Sequence, residues 1–185
     1  MRTFLAADIE TGVKEKINIL MDRFRHREKN IKWVKPENIH ITIYFFGEVN
    51  AQDLNILEQI IENAIRALHP FTVSVREISA FPSIKRPRVL WIGVDNPFRE
   101  LNTIYDSINK ELQASTINVN RDSKSYTPHI TIGRVKSRYD TKILKDINNN
   151  REQVFGTFQI NNVVLYRSIL MKEGPKYEPL KIFEI

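Results

Sequence analysis

Two tetrapeptides in this chain are identical, His40-Ile41-Thr42-Ile43 and His129-Ile130-Thr131-Ile132, and they lie 89 positions apart. With ten threonines in 185 residues, a threonine two places after two of the four histidines is a coincidence of about 1–2%, before the isoleucines are asked to match. On a β-strand, residues i and i+2 share a face, so each histidine projects beside its threonine while the isoleucines turn into the core. Two such strands laid side by side would gather two imidazoles and two hydroxyls in one small volume. Imidazole titrates near neutrality, at about 6.5 when unperturbed, so one ring can take a proton while the other gives one. Threonine hydroxyls can donate hydrogen bonds to anionic oxygens. Two proton shuttles and two oxyanion donors make a phosphodiester-cleaving set that needs no metal.

Other chemistries fit less well. The chain has no cysteine, which excludes disulfides, thiolate nucleophiles and Cys-ligated zinc or iron–sulfur centres. A catalytic metal wants three or four protein ligands, and two histidines without an HExxH companion fall short, so no metal and no other cofactor are expected. His26, inside Arg25-His26-Arg27, reads as a solvated surface residue, and His69, just before Pro70, as a helix-end residue near carbonyl dipoles. Neither is given a function.

The elements that must position the motifs follow from periodicity. Thr3 to Ile9 is a compact apolar run with the look of a core strand. Val13, Ile17, Leu20, Met21 and Phe24 mark one face of an amphipathic helix with Thr11 as its N-cap. Ile39 to Phe46 reads as a strand closed by Gly47, and Leu54, Leu57, Ile61, Ile65 and Leu68 as a helix ended by Pro70. Extended runs over Phe71–Ile78 and Val89–Val94 flank the stretch Pro82–Pro87. Asn96-Pro97 announces a helix, as polar cap and first-position proline, whose buried face is Leu101, Ile104, Ile108 and Leu112. His129–Val135 is a strand, Asp140–Ile147 a weaker helix, and strands follow over Phe155–Leu170 and Tyr177–Ile185. Each half thus runs strand, helix, histidine-bearing strand, helix, the mark of an internal duplication. No Pro/Gly/Ser-rich linker divides the chain, so one compact α+β unit is expected.

Composition sets the surroundings. Hydrophobic residues make up 42% and charged residues 27%, ordinary for a globular protein and wrong for collagen-like or wholly disordered chains. No apolar run nears the roughly 18 residues of a membrane span, and the opening residues lack a secretory apolar region, so a cytoplasmic protein away from membranes is expected. Lys and Arg exceed Asp and Glu by 28 to 22, a balance that favours polyanionic partners such as RNA. Lys85, Arg86 and Arg88 crowd one proline-bracketed stretch, and Lys124, Arg134, Lys136 and Arg138 surround the second motif. No heptad seam is visible, and a monomer is expected.

At these residues the sequence resembles the 2H phosphoesterase superfamily, named for two HxTx motifs, and within it the RNA 2′,3′-cyclic phosphodiesterase family, also called the bacterial and archaeal 2′-5′ RNA ligase family. The likeness extends through Phe4-Leu5-Ala6, WVKPENIHITIYFFG from Trp33 to Gly47, PRVLWIGV from Pro87 to Val94, YTPHITIGR from Tyr126 to Arg134, and Leu165 to Leu180. It implies a bilobal α+β fold of two intertwined, pseudo-twofold lobes, each an antiparallel sheet backed by helices, with the active-site cleft between them. It implies His40 as proton donor and His129 as proton acceptor, with Thr42 and Thr131 as catalytic residues that stabilise negative charge on the non-bridging oxygens, and substrate-binding roles for Phe45 beside a base or ribose and Arg134 on phosphate. The implied substrate is an RNA end bearing a 2′,3′-cyclic phosphate, hydrolysed to a 2′-phosphate. The reverse 2′-5′ ligation, another cyclic or 2′-5′ nucleotide as substrate, and a non-catalytic RNA-end binding module remain the alternatives. Hydrolysis leads because water at roughly 55 M outcompetes a hydroxyl that is not positioned at high effective molarity.

Overall fold

The structure is a computed structural model, and it describes residues 1–121, 125–136 and 142–185. In chain order the elements are β1 (Arg2–Ala7), α1 (Thr11–Arg25), β2 (Ile31–Trp33), β3 (Ile41–Glu48), α2 (Leu54–Ile65), β4 (Phe71–Phe81), β5 (Val89–Asp95), α3 (Glu100–Ala114), β6 (His129–Val135), α4 (Lys142–Asn149), β7 (Val154–Ile160), β8 (Asn162–Met171) and β9 (Gly174–Glu184). The expected halves are there: β1-α1-β3-α2 is followed by β5-α3-β6-α4. Helix α4 is described over Lys142–Asn149; positions 140 and 141, where the pattern placed its start, lie outside the described residues, as do Lys124 and Arg138.

All the strand pairs are antiparallel, in the order β7-β4-β5-β6-β3-β1-β8-β9, with β2 added to β6. This order reads outward from the centre as two equivalent series, β3-β1-β8-β9 and β6-β5-β4-β7. The two central strands are β3, which His40 immediately precedes, and β6, which His129 opens. The chain weaves between the series: β4 follows β3 in sequence yet sits beside β5, and β8 follows the second half yet sits beside β1. The helices cross over as well, with α1 packing on β2 and β7 and α3 on β3.

The core explains why these segments fold as they do. Helix α1 buries Val13, Ile17, Leu20, Met21 and Phe24, and α3 buries Leu101, Ile104, Ile108 and Leu112, the stripes set by their three-and-four spacing. Ile41, Ile43, Ile130 and Ile132 are each at most 1% exposed, so the motif isoleucines do anchor both strands.

Two local expectations are corrected. Glu10, not Thr11, is the N-cap of α1; its side chain makes no capping bond, and Thr11 is already helical. Pro97 is not the first helical residue of α3, because Arg99 takes a left-handed conformation (φ 61°) and delays the helix to Glu100; Asn96 still accepts the Glu100 N–H at 3.0 Å. The strand-like run Phe155–Leu170 forms β7 and β8, parted at Asn161, and β2 is a strand the pattern had not marked.

β2 constrains its neighbour. Trp33 pairs with Gly133, and a Cβ on Gly133 would lie 2.7 Å from Ile31 Cγ2 and 3.2 Å from Trp33 Cε3. Ile31 is buried, so it has nowhere to retreat. Gly133→Ala is therefore expected to cost about 1–3 kcal/mol, the usual penalty for overpacking, and to lower the melting temperature by about 2–4 °C per kcal/mol. A thermal melt equal to wild type would contradict this.

Candidate active site

The two motif strands meet at a single register pair, Ile41 opposite Ile130. In antiparallel register that pair sets His40 beside Thr131 and Thr42 beside His129, all four turned away from the isoleucine face. Beyond it the strands part. β6 continues against β2, and Val34 N–H bonds the Ile132 carbonyl (3.0 Å). β3 continues against the loop before β6, where Asn120 N–H bonds the Phe46 carbonyl (2.7 Å). The divergence opens a recess of about 490 Å³, walled by His40, Thr42, Phe45, Thr131, Arg134 and Tyr177 among others. His129 is not among the recess-lining side chains; it stands two residues before Thr131 on β6.

Phe45 and Arg134 each lie five residues after a histidine, an odd offset that strict alternation would send to the core face. A bulge in each strand resolves this. The β1–β3 register slips between Leu5 and Ala6, opposite Tyr44 and Thr42, and the β5–β6 register slips between Leu90 and Trp91, opposite Gly133 and Thr131. Two consecutive residues, Ile43-Tyr44 in one strand and Ile132-Gly133 in the other, are therefore buried, and the next side chain returns to the cleft. Phe45 is 37% exposed, with the Arg2 guanidinium 5.0 Å above its ring. Arg134 is exposed at the recess wall.

Both imidazoles are held in the same way. His40 Nδ1–H donates to the Asn38 carbonyl (2.8 Å), and His129 Nδ1–H donates to the Thr127 carbonyl (2.7 Å). A carbonyl only accepts, so each neutral ring carries its proton on Nδ1 and leaves Nε2 as the free base. The Thr42 hydroxyl donates to His40 Nε2 at 2.9 Å. Aromatic rings enclose both histidines: Phe4 (5.0 Å) and Tyr177 (5.3 Å) around His40, and Phe81 (5.1 Å) and Trp91 (6.0 Å) around His129. Burial among them disfavours the charged form and lowers His40 to about 4, against raising contributions from the Asn38 carbonyl and Asp8. His129 is lowered chiefly by burial too, with Arg134 adding to the effect and the Thr127 carbonyl opposing it.

Several side chains of the site carried no readable role in the sequence. Asn38, buried before the first motif, donates from Nδ2 to the Pro175 carbonyl (2.8 Å) while its own carbonyl holds His40, tying the β8–β9 hairpin to that ring. Tyr126 reaches from the second motif to the first, its hydroxyl donating to the Thr42 carbonyl (2.9 Å). Tyr177 and Arg2 come from opposite ends of the chain. Their only signal was that they fall within or beside the familiar segments. Among the described residues, no three His, Asp or Glu side chains gather so as to hold a metal ion, and no helix is long and apolar enough to cross a membrane.

The model of the LigT-like phosphoesterase family matches the chain twice, at residues 8–91 and 92–177, which accounts for the duplicated motifs. Proteins named RNA 2′,3′-cyclic phosphodiesterase from Methanocaldococcus jannaschii and Methanothermobacter thermautotrophicus are 37% and 30% identical to it, over 98% and 100% of this chain and 99% of each relative. The crystal structure of a Thermus thermophilus protein superposes with a TM-score of 0.79 at 25% identity, covering 100% of this chain and 97% of that one. Escherichia coli LigT complexed with 3′-AMP shares the fold, with a TM-score of 0.78 at 24% identity over 100% of this chain and 97% of that one. The chain belongs to the LigT-like phosphoesterases of the 2H superfamily.

Proposed function

We propose that this protein is an RNA 2′,3′-cyclic phosphodiesterase, hydrolysing the cyclic phosphate of an RNA end to a 2′-phosphomonoester. The observation that carries the reading is the matched pair of Nδ1-anchored histidines on neighbouring strands, each leaving Nε2 for proton transfer. The full-length relatives bearing that name support the substrate.

In this reaction His129 Nε2 takes a proton from water as its oxygen attacks phosphorus. His40, protonated at Nε2 in the complex, gives its proton to the departing 3′-oxygen. The two rings end with their charges exchanged, and solvent resets them. Thr42, Thr131 and Arg134 donate to the non-bridging oxygens, where charge builds in the transition state. Phe45, backed by Arg2, offers a face for a base or ribose. The phosphate anion adds its negative charge to that of Asp8, and both favour the His40 imidazolium. The two interwoven halves work as one unit, as a monomer in the cytoplasm.

The test is incubation of a short RNA ending in a 2′,3′-cyclic phosphate with the protein in EDTA, followed by product analysis. A terminal 2′-phosphate is expected. A 3′-phosphate, or turnover only on adding a metal, would refute the reading.

A further inference from the structure

The cations around the cleft are not evenly compensated. On the side of the β8–β9 hairpin, Lys35 faces Glu173 (4.0 Å) and Lys176 pairs with Glu178 (3.0 Å), which leaves Lys172 as the one exposed hairpin lysine without an ion pair among the described residues. On the opposite side, where β5, β6 and β2 run together, Lys32, Arg86, Arg88, Arg134 and Lys136 are all exposed, and among the described residues none forms an ion pair. Lys32 sits directly opposite Arg134 in the β2–β6 register. Like charges placed so repel each other. Arg134 is also opposite Val89, one residue from Arg88, whose carbonyl accepts the Val135 N–H at 2.9 Å. Lys136 N–H bonds the Asn30 carbonyl (2.9 Å), and the Arg86 N–H bonds the Ser83 carbonyl (3.2 Å). Backbone bonds therefore fix where these cations stand, while their side-chain charges stay unneutralised.

Lys32 and Arg134 also line the recess, so the stripe begins where the reacting phosphate binds and leads away from it. At roughly 3.3 Å per strand residue, Lys136 stands about 7 Å beyond Arg134. With one phosphate per ~3.4 Å of a stacked strand, that distance spans about two nucleotides.

Resting on the phosphodiesterase reading, we propose that this stripe is a track for the backbone of single-stranded RNA, engaging the phosphates upstream of the cyclic end and leading the strand out past β5, β6 and β2 rather than under the β8–β9 hairpin. The enzyme is then built for polynucleotide ends and not for free cyclic nucleotides. Release of counterions from those phosphates makes the affinity salt-dependent, with a slope of about 0.7 per contact on a single strand.

The experiment uses Arg86→Gln/Arg88→Gln/Lys136→Gln, three exposed positions outside the recess lining. Binding of a ten-nucleotide RNA ending in a 2′-phosphate is followed by anisotropy across a salt series, and turnover of 2′,3′-cyclic AMP is measured in parallel. The slope of log Kd against log salt is expected to shrink by about 2 in the variant, and cyclic AMP turnover to stay at the wild-type rate. An unchanged slope overturns the track, and so does an equal loss on cyclic AMP, which would place these cations at the reacting phosphate. Failure of the wild-type protein to turn over any cyclic phosphate would strike the phosphodiesterase reading instead, and the binding slope would still decide the track.

Discussion

Replacing His129 by alanine is expected to lower kcat by about 10²–10⁴, with KM little changed, because the ring acts on a proton in motion and not on the bound ground state. Water then has no base beside Thr42 to take its proton. His40→Ala should cost as much, since the 3′-oxygen would leave without a proton. The double variant should fall well short of the product of the two losses, because acid and base serve the same transition state. Rings held by an i−2 carbonyl and aromatic neighbours, with the Thr42 hydroxyl added at His40, can be removed without breaking the core, whose isoleucines point the other way. Unchanged melting curves alongside lost turnover would separate chemistry from folding. Wild-type turnover in either variant would sink the assignment.

The second large effect is on pH dependence. Burial lowers both imidazoles, His40 to about 4, so both rings of the free enzyme are neutral at neutral pH. The productive form needs His40 protonated and His129 neutral. For the free enzyme that form is most abundant between two values that both lie below 6.5, so the bell in kcat/KM should be centred on the acid side of 6.5. Bound phosphate adds a negative charge next to His40 and raises its affinity for a proton. The kcat profile, which reports the complex, should therefore extend to higher pH than kcat/KM. Coincident profiles centred above pH 7 would show that burial does not govern these rings.

How far the sequence could be read depended on whether period-two and period-3.6 patterns were intact. They place His40 with Thr42, His129 with Thr131 and the four isoleucines in the core, and they mark α1 and α3 almost to their ends. They fail at Phe45 and Arg134, where parity points the wrong way. Only the bulges at Ile43-Tyr44 and Ile132-Gly133 turn those side chains to the cleft, and no residue type announces the first of them. The family resemblance supplied both positions without the reason. β2 was missed because three residues carry too little pattern, although Gly133 is small because β2 lies over it. Asn38 and Tyr126 act through bonds to Pro175 and Thr42, 137 and 84 residues away, contacts that no local spacing encodes.

The most direct measurement of the central claim is ¹⁵N NMR of the two imidazoles at pH 7, without ligand and then with inorganic phosphate. The account predicts that both rings begin neutral with the proton on Nδ1 and a bare Nε2, and that phosphate drives His40 Nε2 toward protonation while His129 Nε2 stays bare. Protonation at Nε2 of either ring in the free protein, or no response of His40 to phosphate, would contradict it.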